Sequence, residues 1–76
     1  MYNSGDYGKI EFKLKDIVEE NKISKNSLSV KSGVRFDTIQ RYLKGDILRV
    51  DLDVICRLCK ALDCTLEDII EYKKKD

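Results

Sequence analysis

A chain of 76 residues has room for one domain, with no separate catalytic or ligand-binding domain beside it. Its charged fraction of 38% and apolar fraction of 42% suit a soluble helical domain better than a disordered one. The net charge is only +1, no apolar run approaches the ~20 residues of a membrane span, and the N-terminus lacks the basic-then-apolar form of a signal peptide.

Residues 1–9 contain two glycines and no periodicity, and read as a flexible lead to a domain over 10–72, with 73–76 a charged tail. Ile10 and Phe12 alternate like a short extended segment, which either lies against the body or pairs with a second copy. A first helix is expected over Lys13–Asn21, burying Leu14, Ile17 and Val18. Ser24 is a fitting N-cap for a second helix, with Gly33 just beyond its C-terminus. A third helix spans Arg35–Leu43 and stops near Gly45. Asp51 caps a fourth, whose stripe of Leu52, Ile55, Leu58, Cys59 and Leu62 follows i, i+3, i+4 spacing. Thr65 and Asp68 form a capping-box pattern that opens a fifth helix, with Leu66, Ile69 and Ile70 inward. Lys73–Lys75 favour the C-terminal dipole end and read as a frayed, solvated tail. The expected core is Leu14, Ile17, Val18, Leu28, Val34, Ile39, Ile55, Leu58, Leu62 and Ile69.

The most informative stretch is Ser24–Gly45, SKNSLSVKSGVRFDTIQRYLKG. Two short helices joined through a glycine pack at a steep angle, and the second then presents its polar face outward. Ile39, Tyr42 and Leu43 share one side of it. Phe36, Asp37, Gln40, Arg41 and Lys44 share the other, at i, i+1, i+4, i+5 and i+8. A helix held in this way can enter a DNA major groove.

With Leu28, the small Ser29, Gly33, Val34, Thr38, Ile39 and Gly45 at these positions, the stretch resembles the helix-turn-helix of the phage-repressor and Cro-like (XRE-type) DNA-binding domains, including short bacterial regulators that consist of little else. The run LDVICRLCKALDCTLEDIIEY (Leu52–Tyr72) is similar to the family's last two helices. The resemblance implies an all-α, five-helix, lambda-repressor-like domain with the motif in helices 2 and 3. It implies base contacts from Phe36, Asp37, Gln40 and Arg41, and backbone contacts from Lys25, Arg35, Thr38, Lys44 and Arg49.

The chain departs from the family pattern at several of these positions. Lys25 stands where glutamine usually braces a phosphate; it can reach a phosphate but cannot accept a hydrogen bond. Arg35 stands where Ser or Thr usually caps the recognition helix. Phe36 can touch a thymine methyl or pack on a protein surface. Asp37 can accept from a cytosine amine or complement its own helix N-terminus.

Charge distribution favours DNA more than the total does. Between Lys22 and Arg49 there are seven basic residues (Lys22, Lys25, Lys31, Arg35, Arg41, Lys44, Arg49) and two acidic ones (Asp37, Asp46), a local +5. The rest of the chain carries eight basic and twelve acidic residues, or −4. Phosphates respond to local potential, because screening ends interactions within ~10 Å.

Catalysis and metal binding find no support. Without histidine neither a Ser-His nor a Cys-His arrangement is available, and the four glycines form no phosphate loop. Cys56, Cys59 and Cys64 give CxxC and a third thiol, but a closed zinc site wants four ligands. They read as small buried thiols, reduced in the cytoplasm. No enzyme activity, cofactor, metal, membrane contact or small-molecule substrate is expected. The expected function is a sequence-specific DNA-binding transcriptional regulator. Its partners would be double-stranded DNA and a second copy, the copies meeting through Ile10–Phe12 or near Ile70 and Tyr72. The alternative is a protein-interaction or antitoxin-type module on the same fold.

Overall fold

The computed structural model describes residues 7–45 and 47–75. Most of the expected lead, the acidic Asp46 and the final residue of the expected tail lie outside the described residues. The order of elements is β1 (Lys9–Phe12), α1 (Leu14–Glu20), α2 (Lys25–Ser32), α3 (Phe36–Lys44), α4 (Leu52–Leu62), α5 (Leu66–Ile69) and β2 (Ile70–Lys73). The five expected helices are present, and a two-stranded antiparallel sheet is added to them.

Local chemistry sets the helix ends. The Ser24 hydroxyl accepts from the Ser27 N–H at 3.0 Å, and the Asp51 carboxylate accepts from the Asp53 N–H at 2.9 Å, so α2 and α4 begin at capped donors. The Asp68 carboxylate accepts from the Thr65 N–H at 3.0 Å, which holds its ionisation below the usual carboxylate range. Gly33 and Gly45 close α2 and α3 with φ of 78° and 73°, a left-handed conformation in which a side chain is strained.

The core joins Leu14 and Val18 of α1, Leu28 of α2, Val34 in the turn, Ile39 and Tyr42 of α3, Ile55, Leu58 and Ala61 of α4, and Ile69 of α5. Ile17 and Leu62, expected inside, are half-buried against it, while Tyr42 and Ala61 take fully inward positions. Leu52, expected on the buried stripe of α4, is 74% exposed. All of Asp51–Asp53 are exposed, so the stripe meets the core only from Val54 onward. Leu66 is likewise outside, because a single turn of helix buries little more than Ile69.

The larger correction is at the C-terminus. Ile70 and Tyr72, expected on the fifth helix, and Lys73, expected in the tail, form β2. The Lys13 N–H donates to the Ile69 carbonyl at 2.6 Å, and β1 then pairs with β2 in the register Lys9↔Lys73, Ile10↔Tyr72, Glu11↔Glu71, Phe12↔Ile70. The extended segment thus pairs within its own chain. Glu11 directly opposite Glu71 is a repulsive cross-strand pair, offset by Lys73, whose ammonium lies 3.7 Å from Glu11 and 3.5 Å from Glu71.

Candidate nucleic-acid interface

The turn between α2 and α3 is fixed by two serines. Ser32 is buried, donates to the Leu28 carbonyl at 2.7 Å and accepts from the Val34 N–H at 3.1 Å. Ser29 donates to the Val34 carbonyl. Both polar groups of Val34 are thereby satisfied inside the protein, and its side chain is free to join the core. Behind α3, the Tyr42 hydroxyl accepts from the Asp51 N–H at 2.9 Å, and its ring meets Phe12 edge-on with centroids 6.0 Å apart. α3 is therefore held from the α2 side, from the N-cap of α4 and from β1.

That anchoring leaves one face of α3 in solvent. Phe36, Asp37, Gln40, Arg41 and Lys44 are all exposed, as are Lys25, Arg35 and Arg49, while Thr38 is half-buried. The face is a ridge between two grooves. On one side, a groove of about 560 Å³ is lined by Gln40 and Lys44 of α3, Ser24 and Lys25 at the start of α2, and Lys15 and Glu19 of α1. On the other, a groove of about 410 Å³ brings Thr38 and Arg41 of α3 together with Arg49 and Val50 of the following loop. Lys15 is a residue that sequence reasoning missed, since it falls outside the motif and only the packing of α1 on α3 brings it beside Lys25 and Lys44.

Two positions behave differently from a free base-reading side chain. Asp37 accepts from the Thr38 N–H at 3.1 Å and lies 3.9 Å from the Arg35 guanidinium. Its charge is therefore engaged at the N-terminus of α3, where Arg35 supplies no side-chain cap. Phe36 is 40% exposed and stands at the start of the ridge.

The cysteines are only partly inside: Cys56 is exposed, and Cys59 and Cys64 are half-buried. The difference from three buried thiols arises because Cys56 turns outward from the Ile55–Leu58 stripe. Burial, followed by the proximity of Cys59 and the carboxylates of Asp68 and Asp63, pushes the Cys64 thiol up to about 11, so it is protonated at neutral pH and a poor ligand. Among the described residues no three Cys, Asp or Glu side chains converge as a metal site, and no helix is long and apolar enough to cross a membrane.

A glycine-closed helix pair, with its second helix exposed as a polar ridge between cationic grooves, defines a helix-turn-helix DNA-binding domain. Residues 13–75 match the Cro/C1-type HTH DNA-binding domain, and the chain belongs to that family. Its fold is similar to that of the transcriptional regulator VanUg in one of its crystal forms, with a TM-score of 0.70 and 24% identity over 99% of each chain. No curated protein matches the chain.

Proposed function

We propose that this protein is a transcriptional regulator that lays α3 in the major groove of double-stranded DNA and reads a near-palindromic site as two copies. The observation that carries the reading is the ridge between two cationic grooves. A major groove is ~12 Å wide and walled by phosphates on both strands, so a probing helix needs cations on both flanks. Lys15, Lys25 and Lys44 serve one strand; Arg49 serves the other. Arg35 and Thr38 are further backbone contacts near the start of α3. Arg41 is the reader of guanine, Gln40 suits adenine, and Phe36 suits a thymine methyl. Asp37 is the weakest of the four base contacts, since its carboxylate already serves its own helix. The structural neighbour VanUg is a transcriptional regulator, in agreement with this reading. The reading includes no catalytic step, and a DNA reader of this kind works in the cytoplasm.

Selection of bound duplexes from a randomised pool, followed by a salt titration for each variant, tests it. Arg41→Ala is expected to cost ~1–3 kcal/mol on the selected site and to relax preference at one base pair per half-site. Lys15→Ala, Lys25→Ala and Lys44→Ala are expected to weaken selected and scrambled duplexes alike, each lowering the salt slope by ~1. Unchanged site preference in Arg41→Ala overturns base reading by this face, and no duplex binding at low salt overturns the function.

A further inference from the structure

The segment that joins α3 to α4 carries Arg49, and few atoms decide its shape. Its near end is fixed where Gly45 closes α3, the Gly45 N–H donating to the Arg41 carbonyl at 3.1 Å. Beyond that point Leu48 is wholly in solvent, and Arg49 and Val50 are exposed. Among the described residues, 47–50 make no hydrogen bond. The far end is Asp51, whose N–H precedes α4 and has no carbonyl partner in that helix. It donates instead to the Tyr42 hydroxyl at 2.9 Å. Tyr42 is buried and its ring meets Phe12, which packs on the core, so this acceptor is a fixed point. Tyr42 also lines the groove that holds Thr38, Arg41 and Arg49.

We propose that Tyr42 is a positioning residue for the DNA contact: its hydroxyl pins the backbone two residues beyond Arg49 and so sets that guanidinium against the phosphates of the second strand. The inference rests on the DNA-binding reading above. Two residues of chain span at most ~7 Å, so an Asp51 amide tied to α3 confines Arg49 to the flank of the helix that carries Arg41. The body of α4 cannot supply this tie, because it packs chiefly on α2 and α5. Without the hydroxyl, the start of α4 and the segment before it lose their register on α3. Freed backbone must then be ordered again when Arg49 meets a phosphate, at an entropic cost comparable to what one exposed charge contact returns.

The test compares the salt dependence of binding to a selected and a scrambled duplex by the full chain, well below the melting temperature of every variant. Arg49→Ala is expected to lower the salt slope by ~1, the mark of one lost phosphate contact. Tyr42→Phe keeps the ring and removes only the hydroxyl. It is expected to lower the slope by a similar amount on both duplexes, with the base preference read by Arg41 intact. With both substitutions together the slope should fall no further than with Arg49→Ala alone. Ile55→Val takes one methyl from the core side of α4 and weakens the fold while leaving the hydroxyl and the segment in place, so its slope should stay that of the wild type. A wild-type slope in Tyr42→Phe or in Arg49→Ala, losses that add in the double variant, or an equal loss in Ile55→Val overturns the proposal and leaves the DNA reading standing. Failure of the DNA reading looks different, because the wild type then binds neither duplex even at low salt.

Discussion

The α2–α3 motif and the β1–β2 ribbon are held together in opposite ways. In the motif, the serine hydrogen bonds that shape the turn span five residues or fewer, Ser29 to Val34, Ser32 to Leu28 and Val34 to Ser32, and a long-range bond from Arg57 of α4 to the Ser32 carbonyl, at 3.4 Å, is added to them. In the ribbon, Lys9 pairs with Lys73 and Tyr72 reaches back to Tyr7. The motif's buried side is sealed by Ile39 at 0% exposure, whereas Ile10 and Tyr72 on the ribbon's apolar face stay more than half exposed among the described residues. A locally closed unit is rigid enough to position side chains against base edges. A ribbon closed by distant contacts carries a larger loop-closure cost, offset where Phe12 and Ile70 pack on the core.

Breaking the motif should therefore do the most damage. Ile39→Ala leaves a cavity where α3 meets the core and is expected to cost ~2–5 kcal/mol, read as a lowered denaturation midpoint. An unchanged midpoint would mean that α3 is not anchored through Ile39. Tyr42→Phe strikes the joint between the two regions, since its ring touches Phe12 and its hydroxyl accepts from the Asp51 N–H. Loss of that acceptor is expected to cost ~1–3 kcal/mol, with α4 showing faster amide exchange at its first turn.

The alkaline limb of stability gives a finer comparison. The folded Cys64 thiol titrates at about 11, against 9.0 for an unperturbed thiol. The neutral thiol is favoured in the fold, so its contribution is complete below the unfolded value and is lost as pH rises from about 9 toward about 11. Denaturant melts across that range should show a downward slope that is shallower in Cys64→Ala; equal slopes would mean that Cys64 is solvated. The smallest effect belongs to the ribbon's charged face. Lys73→Ala removes exposed ion pairs with Glu11 and Glu71 and should cost less than ~1 kcal/mol, with single half-site DNA affinity unchanged. A larger loss would show that the ribbon, despite its distant closure, is integral to the helical core.

The parts of this protein whose physics is short-range were legible in its residues. Ser24, Asp51 and Thr65 cap helices where their side chains can reach nearby N–H groups, and Gly33 and Gly45 end helices where φ must be positive. The 3.6-residue period put Leu28, Ile39, Ile55 and Leu58 inside, and it brought Phe36, Gln40, Arg41 and Lys44 onto one exposed face. Features that depend on partners far along the chain were set by packing. The helical spacing of Leu66, Ile69 and Ile70 continued past Ile69, but the Lys13 N–H and the β1 ladder captured the backbone there and drew Ile70–Lys73 into a strand. Packing of α1 against α3 brought Lys15 to the groove beside Lys25 and Lys44, and the first turn of α4 left Leu52 in solvent. Periodicity identifies which residues share a face; only the packed chain determines whether that face is covered, and by what.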